Sequence, residues 1–394
     1  MKPTTLDDGE FEVLERVMRD ALREPRAFRV VGDFAKAMHM TPRQAEALFQ
    51  RHAQQTAGAF LEGAGVAAVC RRMADGGVGP DMGLAAGFKR RTGLNPDGYA
   101  AMLKGSWFGL RLPHGYRIED LLAYQGRDTQ SVSERVEDRT LRKAFLLEGR
   151  AVVLQLRFTD GSIEVSLDPP VPPGPNAMAQ VHRMARRLLG LDQDPAALEA
   201  EPSRARLVAG RKGLRVPLSL DPFEALVWAI LGQQVNLAFA YALRRDIIRA
   251  WGVPAPGGLI AHPPPEALAA LEPEALLPLR LSRRKAEYLV LAAQRVADGT
   301  LDLDGFLTAT SAERALLALR GCGPWTAAYT LMRGLGFPDC VPVGDAGLTL
   351  ALQRFFALES RPGPRETLDL MAAFAPHRSL ATYHLWTSLK GVPA

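Results

Sequence analysis

Apolar positions recur with a helical period at the start of the chain, switch to a period of two in the middle, and return to a helical period afterwards. In residues 1–103, Phe34, Ala37 and Met38, and then Ala45, Leu48 and Phe49, fall three or four apart, which places side chains on one helix face. Thr41 and Pro42 between them suit an N-cap and a first helical turn. Two short helices joined by a tight turn are therefore expected, a helix-turn-helix arrangement. Residues 104–205 behave differently. Leu146 to Phe158 and Ile163 to Leu167 alternate around Thr159-Asp160-Gly161-Ser162, which predicts a β-hairpin. Pro169, Pro170, Pro172, Pro173 and Pro175 then form a stiff link, and Met178 to Leu191 reads as an amphipathic helix.

From residue 206 to 394 the pattern is helical. A first helix from about Pro222 to Trp251 carries a long apolar face interrupted by Gln233 and Gln234. Ser282 is placed to cap another helix. Proline clusters at Pro254 to Gly258, Pro263 to Pro265 and Pro362 to Pro364 separate the remaining ones. The fold class predicted is α+β and multidomain: a helical N-terminal region, a small α/β domain with an antiparallel sheet, and a mainly helical core. At 394 residues the chain is long enough for two or three such domains.

Charge adds a direction. The net charge is +5 and the pI about 9.2, the sign that attracts phosphate. Arg183, Arg186, Arg187, Arg204, Arg206, Arg211, Lys212 and Arg215 gather just ahead of the helical core; a solvated helix face and an ordinary linker would read the same way. Cys70, Cys322 and Cys340 are too few and too scattered for a disulfide framework, a zinc quartet or an iron–sulfur ligand set. They point to a reducing compartment. No apolar run reaches membrane-spanning length and no secretory leader pattern opens the chain. A cytoplasmic monomer with access to a bacterial nucleoid is the expectation, with no membrane partner.

Candidate chemistry sits between Leu319 and Leu348. Gly321 and Gly323 allow backbone geometries and close approaches that a Cβ would penalise, and Pro324 suits a first helical turn. A helix opened by glycines offers free N–H groups to a phosphate. Gly321, Gly323 and Thr326 are therefore candidate DNA contacts. About twenty positions on lies Asp345. A carboxylate there can act on what the turn grips; a helix N-cap is the competing reading of the same aspartate. Trp325 and Tyr329 are four apart and share a helix face. With Trp386 they could wall a pocket, and their ring faces would favour a cationic ligand. Core packing is the alternative.

The stretch Leu319-Arg320-Gly321-Cys322-Gly323-Pro324-Trp325-Thr326-Ala327 resembles the hairpin of the helix-hairpin-helix DNA glycosylases, commonly LPGIGxWTA, with Arg320 in place of proline. Within them it resembles the AlkA-type 3-methyladenine DNA glycosylases. Asp221-Pro222-Phe223-Glu224-Ala225-Leu226-Val227, Ile230-Leu231-Gly232-Gln233-Gln234-Val235-Asn236 and Tyr383-His384-Leu385-Trp386 extend the likeness, which runs over roughly residues 207–392. The resemblance implies that residues 206–394 are the helix-hairpin-helix catalytic domain and 104–205 the family's N-terminal α/β domain, from which no catalytic residue is inferred. It implies Asp345 as the catalytic aspartate, which would stabilise positive charge on a sugar whose N-glycosidic bond is breaking or orient an attacking water, and Trp325, Tyr329 and Trp386 as walls of a pocket for a cationic base rotated out of the duplex. Strand-cutting relatives carry a hairpin lysine able to form a Schiff base; Trp325 holds that place here, which favours a monofunctional hydrolase. The function implied is release of alkylated bases, of the 3-methyladenine and 7-methylguanine type, from double-stranded DNA. A non-catalytic DNA-binding or damage-sensing protein is the alternative.

No cofactor and no catalytic metal are implied, although the family can hold K⁺ or Na⁺ at hairpin carbonyls, here Leu319 and Gly321. Gln234 matches the side chain that fills the gap left by the flipped base, where an apolar residue would be the natural wedge; helix capping and a buried amide are the other readings of Gln233 and Gln234. Upstream, Phe34 to Phe49 resembles the first helix-turn-helix of AraC-type regulators, and Leu84-Ala85-Ala86-Gly87-Phe88 with Arg90-Arg91-Thr92-Gly93-Leu94-Asn95-Pro96 resembles fragments of the second. Phe88 runs straight into Lys89-Arg90-Arg91, leaving no room for the second recognition helix, and His39 stands where the turn usually has glycine. Residues 1–103 therefore read as a degenerate regulator-like module, suited to general DNA affinity or to scaffolding rather than to promoter recognition.

Overall fold

The protein is described by a computed structural model over residues 8–169 and 174–389. Its contacts divide it into two compact units. The first is made of residues up to 105 together with short segments around 174–179 and 305–312. It carries helices α1 (Asp8–Arg23), α2 (Val31–Ala37), α3 (Pro42–Leu48), α4 (Ala57–Ala74), α5 (Met82–Thr92) and α6 (Pro96–Lys104). Thr41 caps α3 as its sequence implies: its side chain accepts from the Gln44 amide while Gln44 Oε1 accepts from the Thr41 amide at 3.0 Å. His39 makes the turn between α2 and α3 at φ +55°, the left-handed geometry for which glycine is cheaper. Phe34, Phe49 and Phe60 interlock with centroid separations of 5.1, 5.5 and 5.9 Å, and Leu307 packs on the same core. Both fragments of the presumed second helix-turn-helix fall on or beside α5, which runs unbroken from Met82 to Thr92 and stops at Gly93 with φ +75°.

The second unit opens with strand β1 (Trp107–Arg111) and helix α7 (Ile118–Gln125), followed by β2 (Glu134–Glu137), β3 (Thr140–Leu147), β4 (Arg150–Thr159) and β5 (Ser162–Asp168). These strands form one antiparallel sheet in the order β1-β5-β4-β3-β2. Along β5 buried residues strictly alternate with partly exposed ones, the signature of a sheet with one covered face. The hairpin read from the sequence is present between β4 and β5, but its first strand is shorter than expected. Glu148 and Gly149, at φ +49° and +77°, turn the chain between Leu147 and Arg150, so Leu146 and Leu147 close β3 instead. Of the proline link, Pro170, Pro172 and Pro173 lie outside the described residues. Helix α8 spans Pro175–Leu188, ending earlier than expected because Gly190 adopts φ +62°.

The remaining elements are α9 (Pro195–Glu199), α10 (Ala205–Val208), α11 (Pro222–Gly232), α12 (Leu237–Trp251), a two-residue strand pair β6 (Val253–Pro254) and β7 (Ile260–Ala261), α13 (Pro265–Ala269), α14 (Arg283–Ala297), α15 (Ala309–Leu317), α16 (Pro324–Tyr329), α17 (Ala346–Phe356), α18 (Pro364–Met371) and α19 (Arg378–Ser388). The single helix expected over Pro222 to Trp251 is in fact two. Gln233 at ψ 123° ends the first, Gln234 follows at φ +54°, and Asn236 starts the second by accepting from the Phe239 amide at 2.9 Å. Ser282 caps α14 as expected. Leu259 and Ala261 pack against Ala144 and Val153 of the sheet, which sets the sheet beside the helical part and positions α7 next to the site. Among the described residues no helix is long and apolar enough to cross a membrane.

Candidate active site

Helices α15 and α16 are joined by the glycine hairpin. Gly321 sits at φ +87°, and a Cβ there would lie 2.2 Å from the Tyr288 ring. Both conformation and space demand glycine. Gly323 differs from its expectation: its φ of −88° is open to any residue, and no atom lies within 4 Å of where its Cβ would be. Its smallness leaves clear space in front of the hairpin instead of relieving strain. Thr326 is a correction of another kind. It is only 2% exposed, and its hydroxyl accepts from Gln233 Nε2 at 2.9 Å, so its side chain faces inward rather than toward a ligand. Burial raises the Cys322 thiol to about 12, leaving an unreactive group at the turn.

Asp345 joins three elements. Its Oδ2 accepts from Trp325 Nε1 at 3.0 Å, and its Oδ1 accepts from Trp386 Nε1 at 2.9 Å and from the Leu348 amide at 2.7 Å. The N-cap and the site-aspartate readings thus meet in one side chain, which caps α17 while two indoles orient it. A carboxylate offers about four lone-pair positions, so one acceptor position remains. Tyr329 lies between the two indoles, its ring 5.3 Å from Trp325 and 6.4 Å from Trp386. Trp325, Tyr329, Trp386 and Asp345 therefore form one cluster.

The loop between α11 and α12 is bound to the hairpin. Gln233 Nε2 donates to the Gly321 carbonyl at 2.8 Å as well as to Thr326. Gln234 is exposed, and Leu237, at the first position of α12, is 59% exposed. An exposed leucine directly after an asparagine cap is legible in the sequence as an apolar side chain left without a covering element. The Leu319 carbonyl accepts from the Cys322 amide at 3.0 Å; it and the Gly321 carbonyl each retain a second lone pair.

Behind Tyr329 opens a cleft that the sequence did not disclose. Residues of the α/β region reach it: Tyr124 and Arg127, with Trp228, Arg333 and Tyr329 from the helical part. The Arg127 guanidinium stands 3.6 Å from the Tyr124 ring centroid, and that of Arg333 stands 4.3 Å from the same centroid. Burial pushes the Tyr124 hydroxyl up, but these two cations outweigh it and leave it below the ordinary tyrosine value. At the cleft's edge Lys143 Nζ reaches Glu134 at 3.1 Å and Glu224 at 3.0 Å, while Arg244 holds Glu134 at 2.7 Å. Burial alone would raise Glu134; Arg244 and Lys143 reverse that and hold it well below the carboxylate range. Arg333 was legible in principle as the lone charge in the apolar run Ala327 to Gly336. Among the described residues, no three His, Cys, Asp or Glu side chains converge as metal ligands would.

Known proteins resemble this chain in sequence and in fold. Residues 227–376 match the HhH-GPD superfamily of base excision DNA repair proteins. The DNA-3-methyladenine glycosylase of Bacillus subtilis is 37% identical over 182 residues, 45% of this chain and 60% of its own. DNA-3-methyladenine glycosylase 2 of Escherichia coli is 33% identical over 204 residues, 51% of this chain and 68% of that protein. The chain belongs to the AlkA-type helix-hairpin-helix glycosylase family. It spans only about 60% of the length of the Bacillus subtilis relative. In three dimensions this AlkA-type chain superposes on the 3-methyladenine DNA-glycosylase of Archaeoglobus fulgidus with a TM-score of 0.64, at 23% identity, covering 73% of the chain and all of the other. That likeness establishes a common fold. The matched stretch, 227–376, includes Gln234, the hairpin and Asp345 of this AlkA-type site but stops short of Trp386.

Proposed function

We propose that the protein is a monofunctional DNA glycosylase that hydrolyses the N-glycosidic bond of alkylated purines, of the 3-methyladenine and 7-methylguanine type, in double-stranded DNA. The observation that carries this reading is the Asp345 carboxylate held by two indole N–H groups beside stacked rings. A base buried in a duplex must be turned outward before its glycosidic bond is accessible. The rings of Trp325, Tyr329 and Trp386 offer the extruded base apolar, electron-rich surfaces. As the bond lengthens, positive charge grows on the sugar, and a carboxylate fixed in advance stabilises it without reorganising. The remaining acceptor position of Asp345 can also take a proton of the attacking water.

The clear space before Gly323 suits a DNA phosphate. The Leu319 and Gly321 carbonyls would hold a monovalent cation against that phosphate, where it supplies charge neutralisation only. Gln234 and Leu237 would enter the duplex, the amide pairing with the orphaned base and the leucine filling the void. Trp325 in the lysine position leaves no Schiff-base nucleophile in the hairpin, so an abasic site is the end product. The N-terminal unit acts as a scaffold with general DNA affinity. Incubation with methylated DNA tests the proposal: wild type should release 3-methyladenine and 7-methylguanine without a borohydride-trapped covalent complex. Normal DNA binding with no base release would overturn it.

A further inference from the structure

The cleft behind Tyr329 contains more donors than the protein satisfies. Arg333 is 3% exposed, and its Nε and Nη1 have no hydrogen-bond partner among the described residues. Arg127 is partly engaged, Nε donating to the Tyr241 hydroxyl at 2.6 Å and Nη1 to the Tyr124 carbonyl at 2.8 Å. Of the charges lining the cleft, Lys143 and Arg244 are answered by Glu134 and Glu224. Among the described residues no carboxylate pairs with Arg333 or with the more exposed Arg127, and both lie against the Tyr124 ring. A buried guanidinium with unmatched N–H groups is costly, and an acceptor entering the cleft removes that cost.

We propose, resting on the glycosylase reading above, that this cleft selects bases by their acceptor edge: Arg333, with Arg127, donates to a ring carbonyl such as O6 of 7-methylguanine or hypoxanthine. 3-Methyladenine presents an amino group at the equivalent ring position, a donor facing donors. Both methylated purines are cationic in DNA, so the carbonyl separates them and overall charge does not. A site built to hydrogen-bond one edge discriminates strongly against an analogue that lacks it. The rings around Asp345 accept either base by stacking, and the guanidinia behind Tyr329 rank them.

The test uses methylated duplex DNA, which carries both lesions in one tube. Arg333→Met should lower the single-turnover release of 7-methylguanine relative to 3-methyladenine by about tenfold or more, with Arg333→Lys recovering part of the ratio. Release of 3-methyladenine reports that each variant is folded. A second measurement needs no variant: wild-type protein should be inhibited by free hypoxanthine at least about tenfold more strongly than by free adenine. A ratio unchanged in Arg333→Met, or equal inhibition by the two free bases, overturns the inference. If wild type releases neither base, the glycosylase reading fails instead, and the free-base comparison still decides whether the cleft prefers an acceptor.

Discussion

Trp386 donates its indole N–H to the same oxygen of Asp345 that accepts the Leu348 amide. The carboxylate is thereby fixed from two helices at once, one that it caps and one that closes the chain. Asparagine caps helices about as well as aspartate. Asp345→Asn keeps the cap through its one amide oxygen but turns its NH2 toward an indole N–H, so it should cost about 1–3 kcal/mol of stability, while base release falls by about a hundredfold or more. Equal loss of stability and activity would reduce Asp345 to a cap. The assay pairs thermal unfolding with release from methylated DNA.

Trp386→Phe keeps a ring and removes the donor. Stacking survives, but one side of the carboxylate is freed to rotate. We expect kcat to fall about tenfold, the cost of one hydrogen bond to a charged group, with KM little changed. A change confined to KM would assign the indole to binding alone.

The two hairpin glycines separate folding from DNA contact. Gly321→Ala meets the Tyr288 ring and a left-handed backbone together, and should cost about 2 kcal/mol or more of stability. Gly323→Ala meets nothing in the protein. Its thermal unfolding should match wild type while affinity for duplex DNA drops, read by fluorescence anisotropy. Loss of stability in Gly323→Ala would contradict the open space described.

Leu237→Ala should slow base extrusion by about tenfold, roughly what removing one buried leucine side chain from a contact costs, followed as 2-aminopurine fluorescence in a duplex. Gln234→Gly relieves a left-handed non-glycine residue and should leave stability unchanged or raise it slightly. An unaltered extrusion rate in Leu237→Ala would remove the leucine from the wedge.

Asp221, the N-cap of α11, keeps an exposed edge, yet crowding by its neighbours and the nearby Glu224 raise its carboxyl to about 6. A carboxyl raised on folding binds its proton more tightly in the native state than in the unfolded chain. Its stabilising contribution is full below the unfolded value near 4 and disappears as pH rises through about 6. Asp221→Asn retains an acceptor for the Phe223 amide and cannot ionise. The variant should gain on wild type as pH rises from 4 to 7, by about 1 kcal/mol or less because water screens the exposed carboxylate. Parallel stability curves would show that Asp221 titrates normally.

Sequence pattern was informative where function or backbone geometry depends on local order. Thr41, Ser282 and the β4–β5 hairpin were legible because caps and tight turns are decided by a few consecutive residues. Trp325, Tyr329, Asp345 and Trp386 could be grouped through the motif, and they do converge. The break at Gln233 and Gln234 was hidden because the apolar period continues across it; only the conformations of these two glutamines end the helix. Tyr124 and Arg127 were hidden for a different reason. They come from the sheet region, and nothing in their own spacing records that Leu259 and Ala261 draw that sheet against the helical part.

Gln233 ties the α11–α12 loop to the hairpin through two hydrogen bonds from one amide nitrogen. If the hairpin holds a phosphate and the α11–α12 loop probes between bases, as proposed above, the two are the jaws of one rigid caliper. With the jaw spacing fixed, an intact, well-stacked step resists both contacts together, whereas a step loosened by a damaged base yields. Gln233→Ala would let the jaws move independently, and its signature would be slower searching among undamaged base pairs with chemistry at a lesion already extruded left intact.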